Sequence, residues 1–161
     1  MFIFLDTEFT NLKRPDLISL ALVCEDGREF YAERNDFYPE HCSDFVNETV
    51  LPLLGRAPGA ACTRKELTDR VKEWFKQFED LPVVVFDSAI DWHLLAVAML
   101  GRPHSKPPCD FATQILLDSS VFTNPVFVQV QNSSYTPDWP MHHALADARA
   151  LKAGFEAHRD R

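Results

Sequence analysis

Phe2, Ile3, Phe4 and Leu5 form an unbroken apolar run that ends on two acids one residue apart, Asp6 and Glu8. A strand with one wet face alternates, whereas a continuous run of aromatic and branched residues fits a strand covered on both faces. That feature demands a layer on each side of a sheet. In extended backbone, positions i and i+2 share a face, about 6.5 Å apart. Two carboxylates at the end of a buried strand repel each other and resist desolvation, so a positive partner is expected between them. Hard divalent ions, magnesium or manganese, take such oxygens. The alternative is a strand that stops at Leu5 and leaves both acids solvated in a loop.

With 161 residues, 46% of them hydrophobic, the chain suits one domain, residues 1–161, with a substantial core. No apolar run approaches the ~20 residues of a membrane span. The apolar start runs straight into Asp6 and Glu8 without a basic leader, which does not read as a signal peptide. Cys24, Cys42, Cys62 and Cys109 are widely spaced without a CxxC pair, so free thiols and a cytoplasmic setting are expected rather than a zinc site or disulfide framework. A net charge of −8 argues against a protein that coats nucleic acid through a broad basic surface. It leaves open an enzyme that grips a few nucleotides through bound metal. Lys13, Arg14, Arg102 and Lys106 are candidate phosphate contacts, although a solvated surface role is the plainer reading.

Leu17 to Glu25 reads as a second strand and Arg28 to Glu33 as a third, with Asp26-Gly27 between them as a two-residue hairpin signal. Ser43 or Asp44 can cap a short helix carrying Phe45, Val46, Val50 and Leu53 inward, interrupted near Pro52. Thr63 and Glu66 form a capping-box pattern opening a helix with Leu67, Val71, Trp74, Phe75 and Phe78 on one side. Leu81 to Phe86 reads as a buried fourth strand. The segment from Asp91 to Leu100, closed by Gly101, reads as an internal helix. A short strand over Pro107 to Phe111 and a helical stretch from Asp110 through Leu117 follow. Ser119 to Pro140 reads as a surface excursion, and His143 to Ala157 as the last helix. The order predicts an α/β fold, with a three-stranded N-terminal meander in a mixed central sheet flanked by helices.

In open α/β sheets, sites form where strands end. Three stretches qualify: Asp6 with Glu8; FDSAIDWHLL, with Asp87 at a strand end and Asp91 at a helix start; and MHHALADARA, with His142, His143 and Asp147. Acids at three element ends beside a histidine suit a metal site with a general base. Each has a plainer reading: Asp91 as a helix cap, Asp147 as a surface acid, His93 as a core or rim residue. His143 and Asp147 are four apart and share a helix face, whereas His142 reaches the same place only from a preceding loop. Spacing favours His143.

DTEF near the start, Asp91 after a strand and loop, and H-x-x-x-x-D opening the last helix resemble the DEDDh 3′–5′ exonucleases, a family with the ribonuclease H-like fold. The EDGREFYA hairpin and the HxALxDAR ending resemble most the small stand-alone bacterial 3′–5′ exoribonucleases. The resemblance implies Asp6, Glu8, Asp91 and Asp147 as ligands of two magnesium or manganese ions. It also implies His142 as general base, overturning the spacing argument, because the family's histidine precedes its last acid by five and sits on a loop. Thr7 and Phe9 fall beside the substrate's 3′ end. The implied activity is hydrolysis of single-stranded RNA, or of 3′ overhangs, to nucleoside 5′-monophosphates, by a homodimer. The alternatives are a proofreading-type DNA 3′–5′ exonuclease and a non-catalytic ribonuclease H-like interaction module. Phe9 stands where many relatives have a small hydroxyl residue, and Asp87 where many have asparagine.

Overall fold

A computed structural model describes residues 1–101 and 111–159. Arg102, Lys106, Cys109 and most of the strand expected at 107–111 lie outside the described residues. The opening run is strand β1, Phe2–Phe9, at the heart of a six-stranded sheet. It pairs antiparallel with β2 (Leu17–Cys24), which pairs antiparallel with β3 (Glu29–Arg34). A two-residue strand β4, Ala61–Cys62, adds parallel to β3 at one edge. On the other side of β1 lie β5 (Val83–Phe86) and β6 (Thr113–Leu116), both parallel to it, giving the order β4-β3-β2-β1-β5-β6.

Both faces of β1 are covered, as its apolar run requires. Ile3 and Leu5 face a core shared with Leu20, Leu22, Val84 and Phe86, under helices α1 (Arg64–Phe75) and α2 (Ala89–Leu100). Phe4 faces the opposite core with Val85, Phe127 and Leu151, under α3 (Pro125–Ser133) and α4 (Ala144–Arg159). There α3 and α4 touch through Phe127, fully buried, and Gly154: a Cβ on Gly154 would stand 3.0 Å from the Phe127 ring. The Thr63/Glu66 capping box and the left-handed Gly101 delimit α1 and α2 as the sequence predicts.

Four local expectations change. The hairpin after β2 has three loop residues, because Cys24 and Arg28 form the last bonded pair and Gly27 takes a φ of +90°. The stretch expected to be helical through Leu117 is instead β6, whose backbone completes the parallel ladder on β5. The excursion after Ser119 holds a 3-10 turn, Ser119–Thr123, and then α3, capped by Asn124 with Pro125 in its first turn. Around Phe45 the chain turns inward one residue later than expected: Val46 and Val50 are buried while Phe45 is 52% exposed. Val46–Val50 form a wide π turn, and Phe45 stands just before it, outside the buried face.

Candidate active site

β1 continues through both acids, so Asp6 and Glu8 are strand residues and not loop residues. Alternation places their side chains on the α4 side and that of Thr7 on the α2 side. Between Glu8 and Phe9 the register with β2 slips: Glu8 faces Ser19, but Phe9 faces Leu17, leaving Ile18 as an extra residue on β2. Such a bulge bends the strand end and re-aims its side chains. It also frees Ile18 to pack with Val46 and Val50 beneath the segment carrying Phe45.

Two groups of carboxylates converge here and share one member. Oxygens of Asp6, Glu8 and Asp147 lie within 4.8 Å of one another, as do oxygens of Asp6, Asp87 and Asp91. β1 supplies two of the acids, the end of β5 supplies Asp87, the first turn of α2 supplies Asp91, and the first turn of α4 supplies Asp147. Asp91 is buried, and its Oδ1 accepts a 2.6 Å hydrogen bond from Thr7 Oγ1. Thr7, expected beside the substrate, therefore commits its buried hydroxyl to orienting Asp91.

Electrostatically the cluster is unsatisfied. Asp6 is pushed well above the ordinary carboxyl range by burial first, then by the charges of Asp91, Asp147, Glu8 and Asp87. Burial and the charges of Asp147 and Asp91 push Glu8 up to about 9. Burial takes Asp91 to about 7 despite the Thr7 hydrogen bond. Asp147 rises through burial, opposed by Tyr135 and by the His142 backbone, and Asp87 rises through partial loss of solvent. Asp6 Oδ2 and Asp147 Oδ1 are buried without any hydrogen-bond partner. Hard oxygen donors, crowded and unpaired, fit a divalent cation.

The two adjacent histidines part company. His142 takes a left-handed backbone conformation, φ 67°, and its N–H donates to Asp147 Oδ2 at 2.9 Å. Its half-buried ring meets the exposed Phe45 edge-on, with centroids 5.1 Å apart. His143 is 1% exposed, wedged between Tyr31 and Trp139, and both of its ring nitrogens lack a partner. Burial lowers it to about 4. Sequence reasoning missed two neighbours of the cluster. Tyr135 interacts with Asp147, Asp6 and Asp87, and burial followed by the Asp147 charge pushes its phenol up. Phe45 was expected to point inward. Phe9 is partly buried and packs against the α1/α2 core.

A solved structure of S. pombe Pop2p, in a Mg2+- and Mn2+-bound form, superposes with a TM-score of 0.66 over 99% of this chain and 83% of that one, at 13% identity. The chain has the ribonuclease H-like fold. In the ribonuclease H-like sheet, the acids sit where parallel β1 and β5 end, at the carboxyl ends of the strands. Over 52 residues the sequence is 46% identical to 3′–5′ exoribonucleases from two strains of Mycobacterium tuberculosis. That alignment spans 32% of this chain and 31% of the curated relatives it matches. No protein-family model matches. The fold implied by DTEF and its partner motifs is the fold observed.

Among the described residues, no helix is long and apolar enough to cross a membrane.

Proposed function

We propose that this ribonuclease H-like chain is a divalent-metal-dependent 3′–5′ exoribonuclease that releases nucleoside 5′-monophosphates from single-stranded RNA. The observation that carries the reading is the pair of carboxylate groups joined through Asp6, with two buried oxygens left unpartnered. Asp6, Glu8, Asp91 and Asp147 would hold two magnesium or manganese ions, with Asp87 beside the Asp6–Asp91 group. Such ions, when bound, acidify an attacking water and steady charge on a leaving oxygen.

The chain's own groups then have separable tasks. Thr7 holds Asp91 in one rotamer through its 2.6 Å hydrogen bond. Asp147 fixes the backbone of His142, so the helix that delivers the acid also delivers the histidine. The His142 ring makes no hydrogen bond among the described residues, which leaves a nitrogen for the proton of the attacking water. The water oxygen bonds to the terminal phosphorus and the P–O3′ bond breaks. The proton taken by His142 returns to solvent or to the departing 3′ oxygen. Exposed Phe45 and half-buried Phe9 offer rings for the terminal base, a contact that tolerates any sequence. His143, buried and held neutral, is not available to exchange protons with water. Likeness to named exoribonucleases favours RNA over DNA.

The test is a 5′-labelled single-stranded oligomer, RNA or DNA, incubated with manganese and then with chelator added. The expected result is a ladder shortening from the 3′ end, faster on RNA and stopped by chelator. Cleavage from the 5′ end, or cleavage indifferent to chelator, would contradict the reading.

A further inference from the structure

Helix α2, which supplies Asp91 to the carboxylate cluster, also walls a second cavity of about 380 Å³, together with α1 and the loop joining β1 to β2. Its lining begins at Lys13, five residues beyond Glu8 in the loop joining β1 to β2, and it is closed by α2 from His93, two residues past Asp91. Its charge is opposite in sign to that of the cluster. Lys13, Arg14, Arg34 and Arg64 line it against a single lining carboxylate, Asp16, in a chain whose net charge is −8. This is a built site. The Arg34 side chain is 3% exposed and donates to Asp16, to the Leu17 carbonyl and to Asp36. Arg64 reaches the same Asp16 oxygen at 2.7 Å. That network is internally answered and rigid, and it positions the loop above it. Lys13 and Arg14 are different: their backbone amides are held by Asn11 Oδ1 at 2.9 Å, while their side chains are exposed and form no ion pair among the described residues.

We propose that this cavity is a subsite for the phosphodiester backbone of RNA on the 5′ side of the bond to be cut. Lys13 and Arg14 grip the phosphate from the rim, over a wall that Arg34 and Arg64 hold in place through Asp16. The inference rests on the exoribonuclease reading above and adds what the carboxylate site lacks: a place where polyanion is attracted. The cluster around Asp6 repels every phosphate except one neutralised by cations. A cationic cavity on the loop that leaves β1 lets a longer strand dock without burdening the reacting end. His93 lines the same cavity, as a rim residue and not a core one.

The experiment compares wild type, Lys13→Ala with Arg14→Ala, the charge-keeping exchange Lys13→Arg with Arg14→Lys, and the remote surface control Lys76→Ala. Binding of labelled RNA is read by fluorescence anisotropy in chelator, over a series of salt concentrations, for a dinucleotide and a longer oligomer. kcat/KM is then measured with manganese. Removing both cations should weaken binding of the longer oligomer about tenfold and lower the salt slope by about 1.4, at ~0.7 per phosphate contact on a single strand. The loss should be largest for the longer oligomer and smallest for the dinucleotide. The exchange should keep the wild-type slope, and so should the Lys76→Ala control. An unaltered slope in the double alanine variant, an equal loss on both substrates, or no binding by wild type would overturn the proposal. Wild type that binds with this salt dependence yet never cleaves would sink the nuclease reading and leave the subsite standing.

Discussion

Two concentrations of charge meet at the end of β1, and they are built on opposite terms. Around Arg34 every donor direction used is answered: Nε by Asp36, Nη1 by Asp16 and the Leu17 carbonyl, Nη2 by the Asp36 carbonyl. Around Asp6 five carboxylates gather, each pushed above its ordinary range by burial first, and all but Asp87 also by neighbouring charge, with two oxygens unpartnered. A fold stabilises a buried charge by pairing it. Where a fold leaves like charges together and unpaired, the missing partner comes from outside, and perturbed acids mark the place. The arginine network holds the structure together, whereas the acid cluster is held together by it.

Substitutions separate the two most sharply. Asp6→Asn or Asp147→Asn should abolish cleavage, yet leave the metal-free protein at pH 8 at least as stable as wild type, because a neutral amide escapes the burial and repulsion that raise each carboxyl. Arg34→Ala should do the reverse to stability. It should cost about 2–4 kcal/mol, toward the low side of a broken buried pair because Asp16 and Asp36 retain some water. Thermal denaturation of the three variants beside a cleavage assay checks both. A strongly destabilised Asp6→Asn protein would erase the contrast.

The next largest effect tests which histidine serves the cluster. His142→Ala should lower kcat by about 10²–10⁴ while manganese binding persists. His143→Ala should lower stability and leave the rate per folded molecule near wild type. The opposite pattern would move the base to the buried ring. A smaller effect is expected at Thr7→Val, where loss of the hydroxyl frees Asp91 and should cost about 10–100-fold in metal affinity or rate. Retention of full affinity would mean that the 2.6 Å hydrogen bond orients nothing of consequence.

Much of this contrast was legible in residues alone, and its gaps have physical causes. The run from Phe2 to Leu5 favoured a doubly covered strand, and the structure has one at the centre of its sheet. The acids at three strand and helix ends announced themselves by position. Phe45 was misplaced because it stands one residue before the buried face, and apolar character alone does not separate it from Val46. α3 escaped because Val126, Val128 and Val130 alternate like a strand, although Asn124 and Pro125 are helix-start signals. β6 escaped because four residues carry too little pattern, and only its ladder with β5 decides it. Tyr135 gave no signal at all: nothing local ties a tyrosine in a polar turn to an aspartate twelve residues on.

Acidity offers a finer test. Carboxyls raised in the folded state hold protons that the unfolded chain has released, so the metal-free protein should lose stability as pH rises from about 4.5 toward 9. His143, lowered by burial, works in the opposite sense, losing stability as pH falls from 6.5 toward 4. The central claim is that this cluster is an incomplete cation site, and manganese titration calorimetry at pH 7, repeated in buffers of different protonation enthalpy, reaches it directly. Glu8, pushed up to about 9, carries a proton at that pH, so binding should release at least one proton per chain, and Asp147→Asn should weaken binding. Manganese that does not bind, or binds without releasing a proton, would contradict it.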